Sequence, residues 1–284
     1  MKPIRLGTRG SALALAQTNL VIGALATQGV ASQAVTFSTR GDRDLSKPLH
    51  ELGDKGLFTQ ELEAALKNRE IDAAVHSAKD MSAFDDPALP IVAALERETK
   101  ADVLIGARLG DLMTGAKIGT SSLRRRAQLK ALRPDLQAVP IRGNLNTRLK
   151  KLSAGAVDAL ILAEAGLKRL DLLAGLTLER LPFLPAPAQG IIAIQALALS
   201  PVWTAINHQQ TWNDLHVERA MVRGLGGHCR LPMAIELHGQ KARIEAWHCE
   251  GNFIYRQGLV RNSTEAQTLG SVLREALPVG YFDV

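Results

Sequence analysis

Three arginines, Arg124, Arg125 and Arg126, follow directly on Gly119-Thr120-Ser121-Ser122. The stretch reads as a short strand through Ile118, then a turn that opens a helix. The first turn of a helix already carries unpaired N–H groups and a partial positive charge, so cations there are unfavourable unless an anion meets them. A multiply charged acidic ligand is the chemistry this arrangement suits. Taken alone, the same three residues also read as a solvated basic helix face. Successive helical positions point about 100° apart, so the three cannot all face one ligand.

Other reactive side chains fall near the ends of predicted strands. Arg9 and Ser11 follow the first, Arg40, Gly41 and Asp42 the second, and Ser77, Lys79 and Asp80 the third. Arg142, Gly143 and Asn144 follow a later strand, with Arg148 one helical turn beyond, and Lys168 and Arg169 follow another. Asp80 is the carboxylate singled out among these cations. Opposite charge keeps it ionised, so it could stabilise a cationic intermediate, or it could simply pair with Lys79 or an arginine. Cys229 sits between glycines and Pro232, flanked by His228 and Arg230. Nearby positive charge lowers a thiol pKa and suits covalent attachment, although a lone cysteine also serves as an inert small hydrophobe. His76 reads as a core histidine, and Cys249 receives no role.

The elements that must hold these residues alternate. Strands are expected at Ile4–Leu6, Val35–Ser38, Ala73–Val75, Ile118, Leu136–Pro140, Ala159–Leu162 and Ile191–Leu197. Helices are expected from Ser11 to near Gly29, over Phe58–Lys67, from the arginines, over Leu145–Leu152 and over Asn213–Arg223. This βαβ pattern implies mixed, mostly parallel sheets with helices on both faces. Three motifs recur in order: Gly7-Thr8 with Gly119-Thr120, Arg40-Gly41-Asp42 with Arg142-Gly143-Asn144, and Asp72-Ala73-Ala74-Val75 with Asp158-Ala159-Leu160-Ile161. The repeat predicts two similar α/β lobes whose strand ends border a ligand cleft. The tail changes style, with antiparallel strands at Met233–Leu237, Lys241–Trp247 and Phe253–Val260 and a covering helix over Thr264–Leu277. The expected division is 1–95 with 190–212 as lobe 1, 96–189 as the arginine-rich lobe 2, and 213–284 as a C-terminal α+β domain holding Cys229.

Composition sets the bounds. The chain has 284 residues, 46% of them hydrophobic but 4% aromatic, and a net charge of +6. The charge fits acidic small molecules or nucleic acid, and scarce aromatics weaken the single-strand reading, which needs stacking. Two cysteines make neither a disulfide framework nor a cysteine zinc site, and no metal is expected. With no apolar leader and no run of about 18 apolar residues, the expectation is a cytoplasmic monomer that binds neither membrane nor nucleic acid. Dinucleotide and P-loop motifs, His-Glu-x-x-His and the Gly-x-Ser-x-Gly elbow are absent.

The residues then match a known family. Thr8-Arg9-Gly10-Ser11, Thr39-Arg40-Gly41-Asp42, Lys55-Gly56-Leu57-Phe58, Val75-His76-Ser77-Ala78-Lys79-Asp80, Gly119-Thr120-Ser121-Ser122-Leu123-Arg124-Arg125, Arg142-Gly143-Asn144 with Arg148, Ala165-Gly166-Leu167-Lys168-Arg169 and the cysteine loop appear in order. The chain resembles the porphobilinogen deaminases (hydroxymethylbilane synthases) over nearly all of its first 235 residues. The resemblance implies two lobes similar to type II periplasmic binding proteins, and a dipyrromethane cofactor attached through Cys229 as a thioether. It implies that four porphobilinogen molecules are joined head to tail with loss of ammonia, and that water releases hydroxymethylbilane. Asp80 would be the catalytic carboxylate, stabilising the positively charged pyrrole and azafulvene species. Arg9, Ser11, Ser77, Lys79, Thr120, Ser121, Ser122, Arg124, Arg125, Arg142, Gly143, Arg148, Arg169 and Gln189 would bind the carboxylates of cofactor, substrate and growing polypyrrole, with Arg126 left to the surface. Three positions depart from the family pattern: Ser82 in place of proline, Ala188 in place of glycine, and His228 in place of a small residue. A two-lobed, non-catalytic binding protein for an acidic small molecule is the alternative. The stretch Gly41–Gly56 is a candidate cover for the cleft.

Overall fold

The computed structural model describes residues 2–39, 59–84, 86–227, 231–278 and 281. The chain forms two compact units, residues 1–98 with 188–216 and residues 99–187 with 217–284.

The first unit holds a five-stranded sheet. Strand β1 (Ile4–Arg9) leads to helix α1 (Ala12–Thr27), which Ser11 caps by accepting the Ala14 N–H at 3.3 Å. Then come β2 (Ser32–Phe37), α2 (Gln60–Lys67), β3 (Ala73–Ser77), a 3-10 turn Ala78–Asp80, and β4 (Ile91–Ala94). After the chain returns, β10 (Ile192–Gln195) completes the sheet in the order β2-β1-β3-β10-β4. β1 runs parallel to β2 and β3, whereas β10 runs antiparallel to β3 and β4. Both faces are covered, as the near-continuous apolar runs of β3 and β10 require. Leu6, Val75, Ile192 and Ile194 pack against Val21 and Leu25 of α1, while Leu62, Leu66 and Ile71 fill the other side. Helix α6 (Pro201–Ile206), with proline at its start, packs on β4.

The second unit repeats the plan. Its strands are β5 (Asp102–Ile105), β6 (Lys117–Gly119), β7 (Gln137–Val139), β8 (Ala159–Ala163) and β9 (Leu178–Arg180), in the order β7-β6-β8-β5-β9. β6 is parallel to β7 and β8, and β5 is antiparallel to β8 and β9. With β6 in the place of β1, the two orders are the same, and β5 takes the place of β10. Helices α3 (Leu123–Leu132) and α4 (Leu145–Ser153) follow their strands as expected, and a further helix, α5 (Glu164–Arg169), follows β8. The repeat has a physical basis. Thr8 and Thr120 are both buried, and a Cβ on either preceding glycine would run into a neighbouring side chain, Ile71 for Gly7 and Leu160 for Gly119.

Helix α7 (Gln209–Leu225) leads to the third sheet, β11 (Met233–His238), β12 (Lys241–Trp247) and β13 (Phe253–Leu259), an antiparallel meander. Helix α8 (Ser263–Glu275) covers it, capped by Asn262, which accepts the Glu265 N–H at 2.9 Å. The sequence pattern does not reveal β4, β5, β9, α5 or α6. It also ends the first strand at Leu6, whereas β1 runs on to Arg9 and carries that arginine on its last residue.

Candidate active site

In the first unit the predicted residues gather where β1 and β3 end. Ser11 closes the start of α1, and Arg9 ends β1. Ser77 ends β3 and bonds Gln17 of α1, 2.7 Å to Nε2 and 3.0 Å to Oε1. Gln17 is 3% exposed, and nothing in the sequence reading picked it out. The signal was a lone carboxamide in an otherwise apolar helix face. The 3-10 turn then presents Lys79 and Asp80. Asp80 is exposed and makes no ion pair or hydrogen bond among the described residues, so the simple pairing with Lys79 or an arginine does not form there. His76 is buried, as expected of a core histidine.

Gln189 is buried in a turn docked on two sides. Its carbonyl accepts the Arg97 Nε–H at 2.8 Å, the Gly190 carbonyl accepts the Glu98 N–H at 3.1 Å, and the Ile191 carbonyl accepts the Ala78 N–H at 3.0 Å. The last bond ties this turn to the segment that carries Asp80. Ala188, at the start of the turn, adopts the left-handed conformation with φ +58.

In the second unit Thr120, Ser121 and Ser122 form the loop after β6. The Ser121 hydroxyl donates to the Ile141 carbonyl at 2.6 Å and accepts the Ile141 N–H at 3.0 Å, which stitches this loop to Arg142 and Gly143. Gly143 has φ +110, and a Cβ there would sit 2.6 Å from the Thr147 methyl, so only glycine fits. Asn144 caps α4, and Arg148 Nε donates to the Gly143 carbonyl at 2.8 Å. Ser122 caps α3 by accepting the Arg125 N–H at 3.4 Å. Arg169 ends α5, half-buried, and Arg126 is half-buried on α3.

Arg124 and Arg125 are buried and converge on Asp102, which is fully buried at the start of β5. Arg124 Nη2 donates to Oδ2 at 2.7 Å, while Arg125 donates to Oδ1 through Nη2 at 2.7 Å and Nε at 3.1 Å. Arg124 Nη1 also reaches the Leu184 carbonyl at 2.5 Å, and Arg125 Nη1 the Ile161 carbonyl at 3.2 Å. Burial works against ionising Asp102, but the two guanidinium groups together outweigh it and hold the carboxyl well below the usual carboxylate range. Burial lowers the Arg124 pKa, opposed by Asp102 and reinforced by Arg125. The Arg124 Nε is buried without a partner among the described residues. Asp102 too escaped the sequence reading, which overlooked the strand it opens.

Cys229, His228, Arg230, Arg40, Gly41, Asp42 and the Lys55–Phe58 motif lie outside the described residues, as does the whole of the candidate cover Gly41–Gly56.

A family model described as "Porphobilinogen deaminase, dipyromethane cofactor binding domain" matches residues 4–201. A porphobilinogen deaminase of Paracoccus denitrificans is 42% identical, covering 99% of this chain and 96% of the relative. One from Desulforudis audaxviator is 47% identical over 82% of this chain and 79% of its own length. Among solved structures, the methionine binding protein MetQ is similar over 76% of this chain and 94% of that one, at a TM-score of 0.44 and 11% identity. With a family model spanning more than half of its residues and relatives above 40% identity along nearly its whole length, the chain belongs to the porphobilinogen deaminase family.

Proposed function

We propose that this chain is a hydroxymethylbilane synthase that joins four porphobilinogen molecules head to tail, releasing ammonia at each addition and hydroxymethylbilane at the end. Asp80 carries the reading within the family. It is an exposed carboxylate with no ion pair among the described residues, on a turn fixed by the Ala78–Ile191 bond. Loss of ammonia from a porphobilinogen aminomethyl group leaves a cation, and a fixed carboxylate beside it stabilises that charge and accepts the pyrrole N–H. Ser77 and Lys79 stand beside it in sequence, and Arg9 and Ser11 belong to the same unit.

The residues suit a covalently bound dipyrromethane. Its carboxylates need fixed donors, and Thr120, Ser121, Ser122, Arg142, Gly143, Arg148 and Arg169 share the unit in which Arg124 Nε lies buried and unpartnered. Arg124 and Arg125 belong to this set, and Gln189 serves the other unit. Cys229 would hold the group by a thioether, and the group supplies a free pyrrole position as primer for the growing polypyrrole. We further propose three domains, 1–95 with 190–212, 96–189 and 213–284, in a cytoplasmic monomer acting on porphobilinogen without nucleic acid or membrane. Among the described residues no helix is long and apolar enough to cross a membrane.

Intact mass of the purified protein tests the covalent claim. An adduct the size of a dipyrromethane, absent from Cys229→Ser, is expected. Active protein with an unmodified mass overturns it.

A further inference from the structure

The Asp102 cluster offers more than an anion site. Two guanidinium groups meet one carboxylate, each carboxylate oxygen serving a different arginine, and all three side chains are at least nine-tenths buried. The cluster is tied into the fold on every side. Asp102 opens β5 and its carbonyl accepts the Leu181 N–H at 2.9 Å. Arg124 and Gln128 of α3 both donate to the Leu184 carbonyl, and the Leu184 N–H returns to Gln128 Oε1 at 2.8 Å. Arg125 is braced on the Ile161 carbonyl of β8.

Two buried like charges repel each other, and they do so at the N-terminal turn of α3, where the helix dipole adds to the repulsion. One buried carboxylate cancels one of the two charges. We propose that Asp102 is a positioning residue: it fixes the planes of Arg124 and Arg125 and leaves the pair one net positive charge, matched to a single carboxylate of the bound pyrrole chain. The donors left over fit this. Arg124 keeps Nε and one hydrogen on each Nη, and Arg125 keeps one on each Nη, once the bonds described above are made. The part about the pyrrole chain rests on the function proposed above. The charge-balance part does not.

The test compares the wild type with Asp102→Asn, which removes the charge and keeps the shape. The first readout is thermal unfolding in inorganic sulfate against sodium chloride of equal ionic strength. Asp102→Asn leaves two uncompensated guanidinium groups, so sulfate is expected to raise its midpoint several degrees more than it raises that of the wild type. An equal rise overturns the charge balance. The second readout is steady-state turnover of porphobilinogen. KM is expected to rise at least tenfold while kcat stays within threefold, since positioning is lost but the reacting groups remain. An unchanged KM in folded Asp102→Asn overturns the positioning role. If Asp102→Asn does not fold, Asp102→Glu takes its place, keeping the charge but displacing it by one methylene. A raised KM with kcat retained is again expected, and a wild-type KM overturns the proposal. A wild type that consumes no porphobilinogen sinks the functional reading instead, and the sulfate comparison still decides the charge balance.

Discussion

The Ser77 hydroxyl lies within hydrogen-bond distance of both ends of the Gln17 carboxamide, joining the end of β3 to the middle of α1 across 60 positions of sequence. Gln17 is buried and Ser77 half-buried, so the carboxamide does not easily find water in the hydroxyl's place. Ser77→Ala strips Gln17 of this partner and is expected to cost about 1–3 kcal/mol, the usual penalty for a buried polar group left unmade. Chemical denaturation measures it. An unchanged midpoint would mean that Gln17 re-forms its bonds elsewhere.

Asp80→Asn keeps the size of the side chain and removes its charge. Because Asp80 is exposed and unpaired among the described residues, stability is expected to change by less than about 0.5 kcal/mol. Ammonia release from porphobilinogen is expected to fall by at least about a hundredfold, the lower end of what a positioned acid–base group contributes. Near-normal turnover in the folded variant removes Asp80 from the chemistry.

Ala188 occupies a left-handed conformation that costs a residue with a Cβ roughly 1–2 kcal/mol. The family pattern has glycine there, and the turn is over-determined by the bonds from Arg97, Glu98 and Ala78. Ala188→Gly is therefore expected to raise the thermal midpoint by a few degrees, and Ala188→Val to lower it. A lower midpoint for the glycine variant would show that added freedom in the unfolded chain outweighs the strain relieved.

Acid should unfold this protein late and then steeply. Asp102 has its folded pKa below the unfolded value of about 3.9, so its ion pairs contribute in full above that value and are lost as pH falls through the folded one. Asp72 is lowered by hydrogen bonds from Arg5, and Glu164 by hydrogen bonds from Arg180, each against a smaller opposing effect of burial, and both carry the same sign. Stability from these groups is expected to be flat above about pH 5 and to drop below about pH 4, with a shallower drop in Asp102→Asn. Equal acid slopes in the two proteins would remove Asp102 from the acid response.

Much of this was legible in the chain. Ser11, Ser122 and Asn144 each stand where a capping side chain must, just before a helix, and each accepts the N–H three residues on. The doubled motifs of Gly7-Thr8 and Gly119-Thr120 reflect one packing problem solved twice. The short buried strands were harder. Ile91–Ala94 is an apolar run of four, and Val103–Ile105 an apolar run of three behind Asp102, neither with alternation, and periodicity cannot tell such runs from a helix segment. Missing the second hid Asp102, whose role depends on α3, a partner distant in sequence. The antiparallel setting of β5 and β10 depends on where the chain crosses between sheets, which no local pattern encodes.

That crossing has a consequence for how the protein is made. Among the described residues β4 pairs only with β10, and β10 lies between β3 and β4 in the first sheet. A chain still emerging from the ribosome has completed β4 long before residue 192 exists, so that sheet waits with a gap at its fourth place. The strands of the second sheet, from 102 to 180, are all synthesised before the gap can be filled. Of the two five-stranded sheets, the one begun first is therefore the one that closes second, and until then β4 has an unpaired backbone edge for other chains to find.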